Sequence, residues 1–479
     1  MSIKNSYGSP TTQDAEARPH GDQPTAFKVY RRRWVILAIF ILFSMCNTWQ
    51  WIQYAIVGNL IQKYYNVSSY AVDWTSVIFM LAYIPFVFPA SAFIKQKGLR
   101  LSIVVGAAMN AAATWLKVLA VAPDRFWLLL LAQSISAVAQ VFVLSVPSTV
   151  AFVWFGAEEV STACALGVFG NQLGVSISFL VNPLVVRDHE SVEDIGWDLK
   201  VAAYAFAGGC TLVFLLALAF FQDKPKTPPS AAMAAREEVP AGEEGPDLST
   251  MAVVRRLMRS VPFLLVVLSF SLVLLAFNAI ATLLNPLILK YFPGGEAFAG
   301  RVGLLFVVSG TVGGVISGYI LDKTHKFKET AVVMVVAIFV SMLVFTFTLP
   351  LRNQAVVYAV LWFMGMSAGG YFPVSMEFVA ELTYPEPEST AEAFLMAVMM
   401  GTSSVGTVLY GWMVNVTGDL WANVMLNVIM FSAIVVTALI KPDLRRFKMS
   451  LATNAPEAVH MLATVGDSRK NSVKSDAHH

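Results

Sequence analysis

Long apolar runs alternate along this chain with short polar and basic clusters. A helix crossing the hydrocarbon core of a bilayer needs about twenty mostly apolar residues. The pattern predicts spans at roughly 34–62, 74–94, 101–121, 126–150, 161–186 and 199–221. After a polar stretch it predicts six more, at roughly 262–290, 302–321, 330–349, 355–380, 391–415 and 420–440. The expected fold class is all-α integral membrane, with 12 transmembrane helices in two six-helix halves, residues 30–222 and 260–441. Segment 223–259 begins rich in Pro, Ala, Glu and Gly and reads as a disordered linker between the halves. Residues 1–29 and 442–479 read as polar, disordered tails.

Composition agrees with this pattern. Only 13% of residues are charged, against about 25% in a soluble domain. The net charge of +2 carries no signal for a nucleic-acid partner. Cys46, Cys164 and Cys210 lie inside apolar runs, without metal-ligand spacing or a disulfide framework, so no metal or cofactor is expected. No nucleophile–base constellation is visible, so an enzyme is not expected. Residues 1–25 lack the apolar core of a cleavable signal peptide, which leaves the first span as signal anchor.

Lys and Arg near span ends set orientation. One side carries Lys28, Arg31, Arg32, Arg33, Lys95, Lys97, Arg100, Lys224, Lys226, Arg255, Arg256, Arg259, Lys323, Lys326, Lys328, Lys441, Arg445, Arg446 and Lys448. The other side has less than half as many, so both termini and the linker are expected in the cytoplasm. The sequon Asn66-Val67-Ser68 falls in the first outward loop, which makes Asn66 a candidate glycosylation site. A second sequon at Asn415 lies too close to the membrane for use.

The loop after the eighth span contains Gly318, Asp322 and Lys323, and resembles the major facilitator loop motif. The equivalent loop after the second span keeps Gly98 and Arg100 but lacks the acid. Matching loops at matching places point to an internal repeat. Their expected role is a charge clamp remade as the halves rock. The alternative is two ordinary positive-inside loops.

Polar groups at bilayer depth are costly and mark function. Asn47, Trp51 and Tyr54 share one face of the first span. Trp51 lies well inside the run, unlike the interfacial Trp34. It faces a central cavity or packs between helices. Gln133 and Gln140 lie on the fourth span, Asn171, Gln172 and Asn182 on the fifth, and Phe277, Asn278 and Asn285 on the seventh. Each amide either lines a pathway or bonds helices together. Lys117 is near a span end and is expected to snorkel to the interface. Glu377 reads as the only well-embedded acid. The scarcity of intramembrane carboxylates and histidines argues for facilitated diffusion. An aromatic and amide wall suits a quaternary ammonium, at about 0.5–2 kcal/mol per cation–π contact.

Several strings carry a resemblance: 30–37 leading into 50–54, then Met80-Leu81-Ala82-Tyr83, 161–165, 170–174 and Glu381-Leu382-Thr383-Tyr384-Pro385. Together they resemble the feline leukaemia virus subgroup C receptor-related (FLVCR) transporters of the major facilitator superfamily, over about residues 28–445. The resemblance implies the major facilitator fold and transport of choline and ethanolamine, with haem as an older alternative. It implies a cation box in which Trp51, Asn47, Gln140 and Met80 match family positions; Gln172 is secondary. The family's span-7 tyrosine beside a phenylalanine is here Asn278 after Phe277, and its span-11 glutamine aligns with Met400. A monomer in the plasma-membrane bilayer is expected.

Haem iron is usually held by His, Cys, Met or Tyr. None of the six histidines lies inside a predicted span, and no Arg or Lys awaits the propionates at midplane. His189 in an outward loop is the one surface candidate. The residues favour a small cation. A receptor that kept the fold without transport would have lost the midplane polar set, which is present.

Overall fold

The computed structural model describes residues 28–229, 233 and 250–441, apart from 145, 157, 325, 385 and 387. The predicted tails apart from Lys28 and Val29, and the linker between 230 and 249 except 233, lie outside the described residues; the end of the predicted disordered linker is instead helical over Thr250–Leu257. Twelve helices are long and apolar enough to cross a membrane. Spans 1 to 6 are Arg32–Tyr65, Ser69–Ile94, Gln96–Leu119, Phe126–Leu144, Thr162–Val185 and Val192–Phe220. Spans 7 to 12 are Val261–Tyr291, Glu296–Leu321, Phe327–Leu351, Gln354–Thr383, Thr390–Val416 and Asp419–Leu439. Span 4 stops earlier than hydropathy suggests, and a short helix, Pro147–Trp154, follows it. Proline suits that first turn because its missing N–H has no partner to lose there.

The two halves pack alike. Span 1 lies on span 5 as span 7 lies on span 11, and span 4 on the hairpin of spans 2 and 3 as span 10 lies on span 8. Span 5 against span 8, and span 2 against span 11, join the halves. Lipid supplies no hydrophobic drive between helices, so close backbone approach at small residues replaces it. Between spans 8 and 10, a Cβ on Gly369 would collide with the backbone of Gly310.

The side bearing the Arg- and Lys-rich loops is here called the basic face. At the far face Trp74, Trp115, Trp127, Trp197, Trp412 and Trp421 are exposed, and at the basic face Trp34 and Tyr319 are. These are the two interfacial belts expected of amphipathic rings.

Span 1 is not one helix. Its α-helix ends at Ile52; a turn and a 3-10 segment, Ala55–Val57, follow, and helix resumes over Gly58–Tyr65. Gln53 and Tyr54 form the turn with φ/ψ still near helical, and Val57 at φ −116° and ψ 31° is where the backbone leaves the helical region, past the middle of the 34-residue span.

Gly369→Leu is expected to destabilise the protein by about 1–3 kcal/mol or more through overpacking. Lipid-facing Val315→Leu serves as control. Thermal unfolding in detergent should show a lower midpoint for the first and no change for the second.

Candidate functional site

The break in span 1 organises the centre of the molecule. A helix end leaves carbonyls without their usual N–H partners, and the membrane offers no water to replace them. Side chains from four other spans do so. Ser178 Oγ on span 5 donates to the Trp49 carbonyl at 2.8 Å. Gln133 Nε2 on span 4 donates to the Gln50 carbonyl at 3.1 Å and also to Thr75. Ser76 Oγ on span 2 donates to the Trp51 carbonyl at 2.8 Å. Asn285 Nδ2 on span 7 reaches the Ile56 carbonyl at 2.7 Å, and its Oδ1 accepts the Asn59 amide.

The last pair also closes the far face. Asn59 donates to Glu296 at 2.9 Å, and Ser69 to Asn415 at 3.2 Å. All three tie one half to the other. These bonds close the far face between the halves.

The sequence-predicted residues separate into groups. Asn47 is fully buried and donates to Asn110 and to the Ser136 carbonyl, so it bonds spans 1, 3 and 4. Tyr54 lines a small cavity, about 20 Å³, inside the first half with Gln53, Asn182 and Leu199. Asn278 donates to Ser403 Oγ at 3.1 Å, with Met399 Sδ beside it. Phe277 stacks on Phe306 at 4.6 Å within the second half. These side chains serve helix packing.

Trp51, Met80, Gln140 and Gln172 lie on spans 1, 2, 4 and 5. Trp51 is half-buried beside the break, and its ring N–H has no hydrogen bond among the described residues. It packs on the large apolar cluster that Met400 also borders. Met400 packs too on the cluster holding Tyr83 and Val141. Met80 stands one turn before Tyr83, and Gln140 is the neighbour of Val141. Gln140 is 7% exposed, and its Oε1 has no hydrogen-bond partner. Asn47, Asn59, Gln133 and Asn427 also carry a buried amide oxygen without a partner among the described residues. Gln172 is half-buried.

Two expectations about charge are corrected. Lys117 does not snorkel; it is 2% exposed and buried against span 1. Glu377 is exposed, whereas Glu381, one turn on, is buried. Asp73, one turn into span 2, is half-buried facing Gly411 of span 11, so the spans are not free of acid.

The loop after span 2 has its acid after all. Gly98 adopts φ 83°, a left-handed conformation that favours glycine. A Cβ there would meet the Asp223 carboxylate. That carboxylate accepts the Arg100 amide at 3.0 Å. Asp223 follows span 6 and looked like linker; a loop with Gly and Arg but no acid was the signal for it. In the equivalent loop Lys323 lies over the Tyr319 ring at 4.4 Å, and a Cβ on Gly318 would meet open space. The Asp322 side chain lies outside the described residues. Asn66 is exposed and caps its helix in the left-handed region. Asn415 is helical and donates to Gly411. His189 pairs with Asp198 at 2.9 Å.

Two pseudo-equivalent six-helix halves that meet around a broken helix define a multi-pass membrane transporter. Known proteins agree. Residues 37–391 match the Major Facilitator Superfamily. The choline/ethanolamine transporter flvcr2a of Danio rerio is 44% identical over 90% of this chain and 92% of its own length. The choline/ethanolamine transporter FLVCR2 of Homo sapiens is 39% identical over 90% of this chain and 81% of its own. Among solved structures, a bacterial homologue of the human lysosomal transporter Spinster, inward-facing and unoccupied, superposes with TM-score 0.69 at 14% identity. It covers 88% of this chain and 99% of its own, and shows the shared fold. The chain belongs to the FLVCR-related transporters of the major facilitator superfamily.

Asp223→Ala, which removes the acceptor of the Arg100 amide, is expected to lower the transport kcat severalfold with KM unchanged. Proteoliposome uptake measures both, and a change confined to KM would contradict the clamp.

Proposed function

We propose that the chain carries choline, and ethanolamine, across the plasma membrane by alternating access, as a uniporter and a monomer. The basic face is cytoplasmic and holds both termini; Asn66 on the far face accepts a glycan. The reading is supported by relatives named as choline/ethanolamine transporters. Of the buried amides with an unpartnered oxygen, Gln140 is one that the family resemblance assigns to the cation box, and its Oε1 can accept a donor. The choline hydroxyl is such a donor. Trp51 supplies the ring face for the trimethylammonium, Met80 and Met400 an adaptable apolar wall, and Gln172 the rim. Asn47, Tyr54, Phe277 and Asn278 shape this wall from behind. The Gly98, Arg100 and Asp223 loop, with its counterpart at Gly318, Asp322 and Lys323, clamps the basic face between strokes. The haem alternative gains nothing from His189, whose ring is engaged by Asp198.

Trp51→Ala should reduce choline uptake about tenfold or more, on the scale of a desolvated cation–π contact, with surface expression intact. Unchanged uptake would remove Trp51 from the site. Gln140→Ala should raise KM for choline about tenfold, the scale of one lost hydrogen bond, and leave tetramethylammonium competition unaltered. Equal losses for both would make Gln140 structural. Uptake driven by a proton or sodium gradient would contradict the uniport mechanism, with Asp73 the first group to test.

A further inference from the structure

Lys117 is unused by the transport scheme above. Its ammonium is buried inside the first half, and no carboxylate pairs with it among the described residues. A buried amine must satisfy its N–H groups with hydrogen bonds in place of hydration. Its partners all belong to the break in span 1. Nζ donates to Gln50 Oε1 at 2.7 Å, on the last helical turn, and to Gln53 Oε1 at 3.2 Å, inside the break. It also lies 5.4 Å from the centre of the Tyr54 ring. Gln50 is itself held: its Oε1 also accepts Ser136 Oγ at 2.6 Å, and its Nε2 donates to Asn110 at 2.6 Å. Trp51 sits between the two glutamines.

We propose that Lys117 is a positioning residue for Trp51. Its ammonium clasps both sides of the break, fixes the angle at which the chain leaves the helix, and so sets the indole against the cation. An ammonium suits this because a single point donor binds two amide oxygens and a ring face at once. A carboxylate at this place would accept only, and would leave the two amide oxygens without donors. The inference rests on Trp51 being the substrate wall.

The test uses the full chain in proteoliposomes, with choline KM and kcat, and in parallel 19F spectra of protein labelled with 5-fluorotryptophan. The Trp51 resonance is assigned by its loss in Trp51→Ala. Lys117→Met should raise KM about tenfold with kcat within about twofold, a loss of binding rather than of turnover. It should shift the Trp51 resonance while leaving that of Trp154, buried in the short helix after span 4, in place. Lys117→Arg should restore most of the affinity. An unchanged KM and Trp51 resonance in Lys117→Met would overturn the proposal. So would a general broadening of all indole signals with kcat and KM lost together, which marks a folding role. If Trp51→Ala itself left KM unchanged, the substrate reading would fall. The Trp51 shift in Lys117→Met would then judge the positioning claim alone.

Discussion

A break in a helix inside a membrane is the constraint on which the rest of this structure depends. Each carbonyl freed at the end of the first segment of span 1 would cost several kcal/mol if left facing hydrocarbon. The chain answers with Ser178, Gln133, Ser76 and Asn285, drawn from spans 5, 4, 2 and 7. Those bonds gather spans of both halves around one point. They explain why the interior is rich in amides yet poor in charge. An amide can cap a carbonyl without the desolvation penalty of an ion.

The same break links Trp51 to the far face. Trp51 lies on its basic side, while Ile56 and Asn59 lie on its far side and bond Asn285 of the other half. The Asn285 bonds join spans 1 and 7 across the two halves. At the basic face, Asp223 and Arg100 hold the corner of spans 2, 3 and 6.

Much of this was legible in the sequence, and the reasons differ by element. The twelve spans follow from hydropathy because bilayer thickness fixes their length. The FLVCR kinship followed from short strings around Trp51 and Gly170. The break was not legible: Gln53 and Tyr54 are not helix breakers, and the next glycine is Gly58. Periodicity placed Asn47 and Tyr54 on one face, and both turn toward span 3, Asn47 to Asn110 and Tyr54 to Lys117. The amides were visible, but not their partners, since Asn285 and Ile56 lie 229 positions apart. Lys117 looked interfacial because its distance from the span end suggests snorkelling, and only the fold brings Gln50 and Gln53 to it. Asp223 was lost in the composition of the linker.

The central claim is that span 1 breaks at Gln53–Val57 and presents Trp51 to a small organic cation. A cryo-EM structure of the protein with saturating choline tests it most directly. The account predicts the same break, and the quaternary nitrogen within about 6 Å of the Trp51 ring centroid with the hydroxyl on Gln140 Oε1. A continuous first helix, or choline held away from Trp51, would contradict it.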